Sequence, residues 1–265
     1  ARYRKEMTGS CDDQVLREFN DRLLYLRNLE KRKEEVAKSI TDQGKMTEEI
    51  QKALDTAATL TEVEDIYRPY KQKKKTRASV AIEKGLQPLA DLILAQDKNV
   101  DVRAEAEKYV DEEKGVANAD DAIAGAKDII AEIVSDDANV RKKLRNLFMK
   151  NGEVQTKLVN ADKEGAKTYE MYADYSEAVA EIKSHRVLAV NRGEKEDFLK
   201  VKVVFNDEIA KRIAGAGYLK DGGYSTQLVK EAVDDGYDRL IYPSIEREIR
   251  AALTESASEQ AIKMF

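Results

Sequence analysis

Cysteine, histidine and tryptophan are nearly absent from this sequence of 265 residues. Cys11 and His185 are each the single residue of their type, and no tryptophan occurs. One cysteine cannot form a disulfide within the chain or a thiolate metal cluster, and one histidine excludes a metal site built from paired histidines. The sequence therefore indicates a reducing, cytoplasmic environment and no cofactor.

Segments that would enter or cross a membrane are also missing. No apolar run approaches the roughly 20 residues that a membrane-spanning helix requires. The first ten residues, ARYRKEMTGS, carry charges throughout, unlike a signal peptide. We therefore expect no membrane partner.

Catalytic motifs are equally scarce. No serine lies in a G-x-S-x-G turn, and GAGYLK at Gly215–Lys220 lacks the third glycine of a dinucleotide fingerprint. Acidic pairs are frequent, but in a chain with 51 acidic residues they are typical of helix starts and solvated faces. His185 follows Ser184, a residue type that caps helices, which favours a structural role. The sequence therefore predicts a protein that is not an enzyme.

Charged residues in helical patterns dominate what is present. They make up 37% of the chain, and only three prolines and thirteen glycines interrupt it, so we predict a mainly α, multi-helix assembly. The segment Asp12–Asp42 lacks both glycine and proline and predicts a long N-terminal spine helix, which Gly44 ends. Its apolar residues recur at three- and four-residue steps and should be buried: Leu16, Phe19, Leu23, Leu26, Val36 and Ile40.

Short strands are predicted in the second half of the chain. Alternating apolar and polar residues indicate strands near 154–159 and 198–205. A short helix is expected at Ser176–Ile182, and Pro243 should divide the C-terminal helical stretch into two helices.

Composition and breaks suggest three regions. The first is an N-terminal helical region, 1–115, which includes a basic loop at 68–77. A second helical region covers 116–193, and 194–265 contains a short strand and the C-terminal helices.

One stretch departs from the net charge of −5, because no carboxylate occurs from Ile66 to Ile82. It contains six positive residues: Arg68, Lys71, Lys73, Lys74, Lys75 and Arg77. Two interpretations stay open, an ordinary solvated loop or a surface for the phosphates of nucleic acid. The second gains support because Thr76 and Arg77 lie where the next helix should begin, and helix N-termini favour phosphate.

Two further groups of residues bear on nucleic-acid binding. Tyr67 and Tyr70 flank the basic stretch and either stack on bases or pack against the long helix. Near the N-terminus, Arg2, Arg4 and Lys5 form a second small basic surface in this prediction.

Six phrases of the sequence together resemble the Tex family of bacterial transcription accessory proteins, over essentially the whole chain. They are ARYRKEMTGS, VEDIYRPYK, KKKTRASVAIEKGLQPLADLILAQ, YVDEEKGVANADDAIAGAKDIIAE, SHRVLAVNRGEKEDFLKVKV and YPSIEREIRAALTESASEQAI. Their order and spacing make the resemblance specific.

The resemblance implies a helical N-terminal region with a helix-turn-helix-like part. In the family, a ribonuclease-H-like domain, helix-hairpin-helix elements and an OB-fold RNA-binding domain follow. The sequence does not begin with methionine and ends at AIKMF. We expect it to begin inside a longer protein and to stop before the ribonuclease-H-like domain.

The resemblance leaves two functional hypotheses. The first is a non-catalytic module that adds auxiliary, sequence-independent contacts to RNA or DNA, with weak binding by this fragment alone. The alternative is a protein–protein interaction scaffold for the transcription machinery that makes no direct contact with nucleic acid.

Overall fold

The computed structural model describes residues 12–72, 74–221 and 223–264, and the chain divides into two compact units after Gln72. The first unit contains α1 (Asp13–Asp42), α2 (Glu48–Thr56), α3 (Leu60–Tyr67) and a 3-10 turn (Arg68–Tyr70). Asp12, Thr47 and Thr59 cap the three helices by accepting hydrogen bonds from amides of the first turn. The division into three regions stays a prediction.

The predicted spine helix is confirmed as α1, but only its second half is buried within the first unit. Val36 and Ile40 lie in the core of that unit. Phe19 is 65% exposed and Leu26 is 40% exposed, while Leu16 and Leu23 are half-buried outside the core. The expected burial of these four residues is therefore wrong. The reason is length, because α2 and α3 have 9 and 8 residues against 30 in α1.

The second unit is built around one central helix, α7, and its helices have the following bounds: α4 (Arg77–Glu83), α5 (Gln87–Ala95), α6 (Val102–Glu107), α7 (Ala119–Asp136), α8 (Ala138–Asn151), α9 (Ser184–Lys195), α10 (Asp207–Gly215), α11 (Tyr224–Gly236) and α12 (Tyr242–Met264). Helices α4, α5, α6 and α11 pack against α7. The approach is close at Gly125, where an added Cβ would lie 2.4 Å from Leu86 Cδ1.

Three antiparallel strands form one sheet in the order β2–β1–β3: β1 (Glu153–Leu158), β2 (Asp174–Ala178) and β3 (Leu199–Val204). The strands predicted near 154–159 and 198–205 are confirmed. The helix predicted at Ser176–Ile182 is wrong, because this segment begins in the edge strand β2, where Glu177 pairs with Val154. Pairing with a distant strand overrides the local helix preference here.

The predicted break at Pro243 is also wrong. A π-helical turn, Tyr237–Ile241, joins α11 to α12 without interruption. Within it the Tyr242 amide donates to the carbonyl oxygen of Tyr237. Proline lacks an N–H and its ring crowds the preceding turn, so a widened π turn is a physical means of carrying the helix through Pro243.

The mainly α fold is confirmed, with the long N-terminal helix and the small sheet. Over the stretches that the structure describes, no helix has both the length and the apolar composition of a membrane-spanning segment. The helix-turn-helix-like part stays a prediction.

Candidate nucleic-acid interface

The predicted basic residues fall into three groups. Arg68 and Lys71 belong to the first unit, and Lys74, Lys75 and Arg77 belong to the second. The remaining four lie outside the described residues: Arg2, Arg4, Lys5 and Lys73.

In the first unit, the two tyrosines beside the basic stretch pack against the unit's own core. The Tyr67 hydroxyl lies 3.0 Å from Ser39 Oγ, and the Arg32 guanidinium lies over the Tyr67 ring at 5.5 Å. Tyr70 is half-buried against the same core. These contacts favour packing over base stacking for both rings. Lys71 is exposed.

In the second unit, α4 begins at Arg77, as predicted, with Thr76 as its N-cap. The Ser79 amide donates to Thr76 Oγ1 at 3.0 Å, and the Thr76 amide donates to Ser79 Oγ at 2.8 Å. This reciprocal capping box satisfies two of the amides that would otherwise face an anion. A helix of seven residues with such a cap has few free backbone amides for binding a phosphate. Attraction of phosphate to this site must therefore come from side chains.

A groove of about 540 Å³ lies between α4 and α7. Its positive residues are Lys75, Arg77 and Lys84, and Lys84 Nζ donates to the Gly115 carbonyl oxygen at 2.8 Å. The local sequence gave no reason to single out Lys84, because its partner lies 31 residues further along the chain.

Two carboxylates, Asp121 and Asp128, also line this groove. Asp121 Oδ2 accepts a hydrogen bond from the Ala117 amide, and Asp128 Oδ1 accepts one from the Arg239 guanidinium at 3.1 Å. Burial raises the pKa of the Asp128 carboxyl above its ordinary value, although Arg239 and then Arg77 act in the opposite direction. The groove therefore combines both charges, and its basic residues lie toward the α4 start.

Lys74, Lys75 and Arg77 are exposed and have no carboxylate of a described residue within ion-pair distance. Other lysines of the second unit are paired, such as Lys98 with Asp221 at 2.7 Å and Lys211 with Asp238 at 2.7 Å. The charges of Lys74 and Lys75 are thus not compensated by a described carboxylate, and Arg77 acts on Asp128 without forming an ion pair. Mobile anions can approach these two lysines.

The described residues do not point to a metal-binding site. Within the described ranges, no group of three or more histidine, cysteine, aspartate or glutamate side chains could hold a metal ion. The arrangement that the second unit offers is electrostatic, a set of point charges on an exposed surface.

The comparisons with known proteins agree with the architecture. Residues 97–265 match the family described as Tex central region-like, and residues 1–41 match the Tex-like protein N-terminal domain. The two matches define an N-terminal helical domain followed by a central region of one protein class. The chain belongs to the Tex family.

Three relatives illustrate the breadth of the similarity, and each aligns with the whole chain. The chain is 45% identical to the uncharacterized protein YdcI of Bacillus subtilis, covering 37% of it. It is 36% identical to the transcriptional accessory protein Tex of Neisseria gonorrhoeae, covering 35%. For the S1 RNA-binding domain-containing protein 1 of Homo sapiens the values are 30% and 28%.

Proposed function

We propose that this chain is a non-catalytic helical module of a transcription accessory protein and adds auxiliary, sequence-independent contacts to RNA or DNA. The names of two relatives, a transcriptional accessory protein and an S1 RNA-binding domain-containing protein, support the class of partner. We propose that it acts in the cytoplasm, where disulfides are rare, because a chain with one cysteine cannot form a disulfide within itself.

The observation that carries the proposal is the unpaired charge at the start of α4. Lys74, Lys75 and Arg77 are exposed and have no carboxylate of a described residue within ion-pair distance, in a chain with net charge −5. Such side chains attract phosphates without reading bases, so binding should be indifferent to sequence and sensitive to salt. The sequence adds Arg68, Lys71 and Lys73, together with Arg2, Arg4 and Lys5, to the proposed contacts.

The experiment is a salt titration of binding to a labelled 20-base-pair DNA duplex. Each neutralised phosphate adds about 0.9 to the slope of log affinity against log salt on duplex DNA. The variant Lys73→Ala/Lys74→Ala/Lys75→Ala should therefore lower the slope by about two to three and leave the helical circular dichroism unchanged.

A matched control removes three charges elsewhere. Lys31, Lys38 and Lys45 are exposed residues of α1 and of the segment that follows it. The variant Lys31→Ala/Lys38→Ala/Lys45→Ala has the same net charge as the test variant, so its slope separates a local contact from a general charge effect. Equal slopes for the two variants would contradict the proposal.

A protein–protein interaction scaffold is the second candidate, and the first half of α1 favours it. Val15 and Phe19 are 53% and 65% exposed, and large exposed apolar side chains on one helix are typical of a protein contact. The partner would be a component of the transcription machinery, tested with purified bacterial RNA polymerase. The interaction scaffold becomes the better supported function if two results are found together. Phe19→Ser weakens binding to RNA polymerase, and Lys73→Ala/Lys74→Ala/Lys75→Ala binds DNA like the wild type.

A further inference from the structure

The outward face of the sheet carries lysines from two adjacent strands. Lys157 of β1 lies directly opposite Lys200 of β3, and Lys202 follows two residues later on the same face. All three side chains are exposed. Directly opposed Cβ atoms lie about 4.5–5.5 Å apart, and residues two apart on one strand about 6.8 Å. The backbone therefore holds three positive charges close together, a surface that we name the lysine face.

The lysines of the lysine face form no ion pair with a described residue. Asp174 lies opposite Lys157 on β2 without forming an ion pair, and Glu153 accepts hydrogen bonds from Ser176 Oγ at 2.8 Å and from Gln155 Nε2 at 3.4 Å. Like charges directly opposite one another destabilise a strand pair, and a bound anion relieves that repulsion.

We propose that the lysine face is a second binding surface, which takes the phosphate backbone of a nucleic-acid strand. The three lysines lie in an open grid on two neighbouring strands and are not gathered around one enclosed point. This geometry suits a chain of phosphates better than a single phosphate ion. Lysine acts as a point charge toward phosphate, so the contact is again independent of base sequence.

The surroundings argue against a membrane and against a protein strand added beside β3. The row next to Lys202 is polar, with Gln155 and Ser176, and the exposed Val159 after β1 is too small an apolar surface for insertion into lipid. The outer edge of β3 is already occupied by α12. Glu246 accepts from the Val203 amide, and the Tyr242 hydroxyl donates to the Val203 carbonyl, both at 3.0 Å.

The lysine face is distinct in residues from the contacts of the proposed function. Lys74 and Lys75 precede α4, whereas the lysine face comes from β1 and β3. The two surfaces can therefore be tested in one experiment.

The first test is lysine footprinting of the wild-type chain with an acetylating reagent, with and without a 20-nucleotide single-stranded RNA. Lys157, Lys200 and Lys202 should react at least about threefold more slowly when RNA is bound, while Lys31 and Lys38 of α1 should not change. Protection of Lys74 and Lys75 alone overturns the lysine face and leaves the proposed function standing. Protection of the lysine face alone supports the lysine face and overturns the contacts proposed at Lys74 and Lys75. If RNA protects none of these lysines, both binding surfaces are overturned.

The second test is the salt dependence of RNA binding by Lys157→Gln/Lys200→Gln/Lys202→Gln. A single-stranded contact contributes about 0.7 per phosphate, so the slope should fall by about two. The control Lys31→Gln/Lys38→Gln/Lys45→Gln should keep the wild-type slope. A wild-type slope in the sheet variant, with an unchanged melting temperature, overturns the proposal. If that variant fails to fold, the footprint of the wild-type chain decides.

Discussion

The two units differ in how much of their apolar surface they bury. Among its described residues, the first unit has a core of six buried apolar side chains from three helices and the end of α2, whereas the core of the second includes residues of every helix from α4 to α12 and of the sheet. Larger units bury a greater share of their surface and are more stable. The second unit therefore gives its charged surfaces the larger packed support, whereas in the first unit the apolar residues Val15, Phe19, Leu24 and Leu26 of α1 stay exposed.

The largest effect is expected from breaking a buried ion network in the second unit. Arg141 is fully buried and pairs with Glu248, which also accepts a hydrogen bond from Arg145 at 2.7 Å. Glu248→Ala removes the carboxylate that Arg141 and Arg145 share and should lower the free energy of unfolding by about 3–5 kcal/mol. Urea denaturation of the wild type and the variant measures this change in the free energy of unfolding. The exposed Glu259 on the same helix is the control, and a loss as small as that of Glu259→Ala would show that the network is not needed.

The next largest effect is a difference in stability between substitutions in the two halves of α1. Ile40 is fully buried, so Ile40→Ala should destabilise the first unit by about 2–5 kcal/mol. Phe19→Ala removes an exposed ring and should change stability by about 0.5 kcal/mol or less. Hydrogen exchange of the amides of α1 to α3 measures both. Similar losses from the two variants would mean that the first half of α1 is covered after all.

A smaller effect is expected where α11 crosses α7. A Cβ added to Gly236 would lie 2.9 Å from the carbonyl oxygen of Ala131, so Gly236→Ala should cost about 1–3 kcal/mol through overpacking. Gly217 has open space around it, and Gly217→Ala is the matched control. Thermal unfolding compares them, and equal melting temperatures would refute the close helix contact.

The smallest effect is pH-dependent. Burial alone would raise the pKa of Glu248, but Arg141 and Arg145 outweigh it and hold this pKa below the ordinary value of 4.5. A lowered folded-state pKa stabilises the protein above the unfolded value, and this stability is lost as pH falls through the folded value. The difference in unfolding free energy between wild type and Glu248→Gln should thus be constant from pH 7 to about 5 and shrink at lower pH. A difference that stays constant to pH 3 would contradict it.

The sequence was sufficient for elements with a strong local pattern. The helix Asp13–Asp42 and the strands β1 and β3 follow from periodicity and alternation. Strand β2 was not recognisable, because DYSEA is short and its pairing partner lies about twenty residues away. The path of the helix through Pro243 depends on a π turn that no local rule predicts.

Of the two candidate surfaces, one could be predicted from the local sequence and the other could not. The uninterrupted charges of Lys74, Lys75 and Arg77 could be found by reading along the chain, and the structure adds their exposure. The lysine face could not, because Lys157 and Lys200 meet only through the register of two strands. Charges that are adjacent in space but distant in sequence need the fold to be seen.

The most direct test of the central claim is the affinity of the wild-type chain for a 20-nucleotide single-stranded RNA at low and at fourfold higher salt. With three or more phosphates neutralised, the slope is about two or greater, so the higher salt should weaken binding by about 16-fold or more. Strong sequence preference should be absent. Affinity that does not change with salt, or no binding at low salt, would contradict the account.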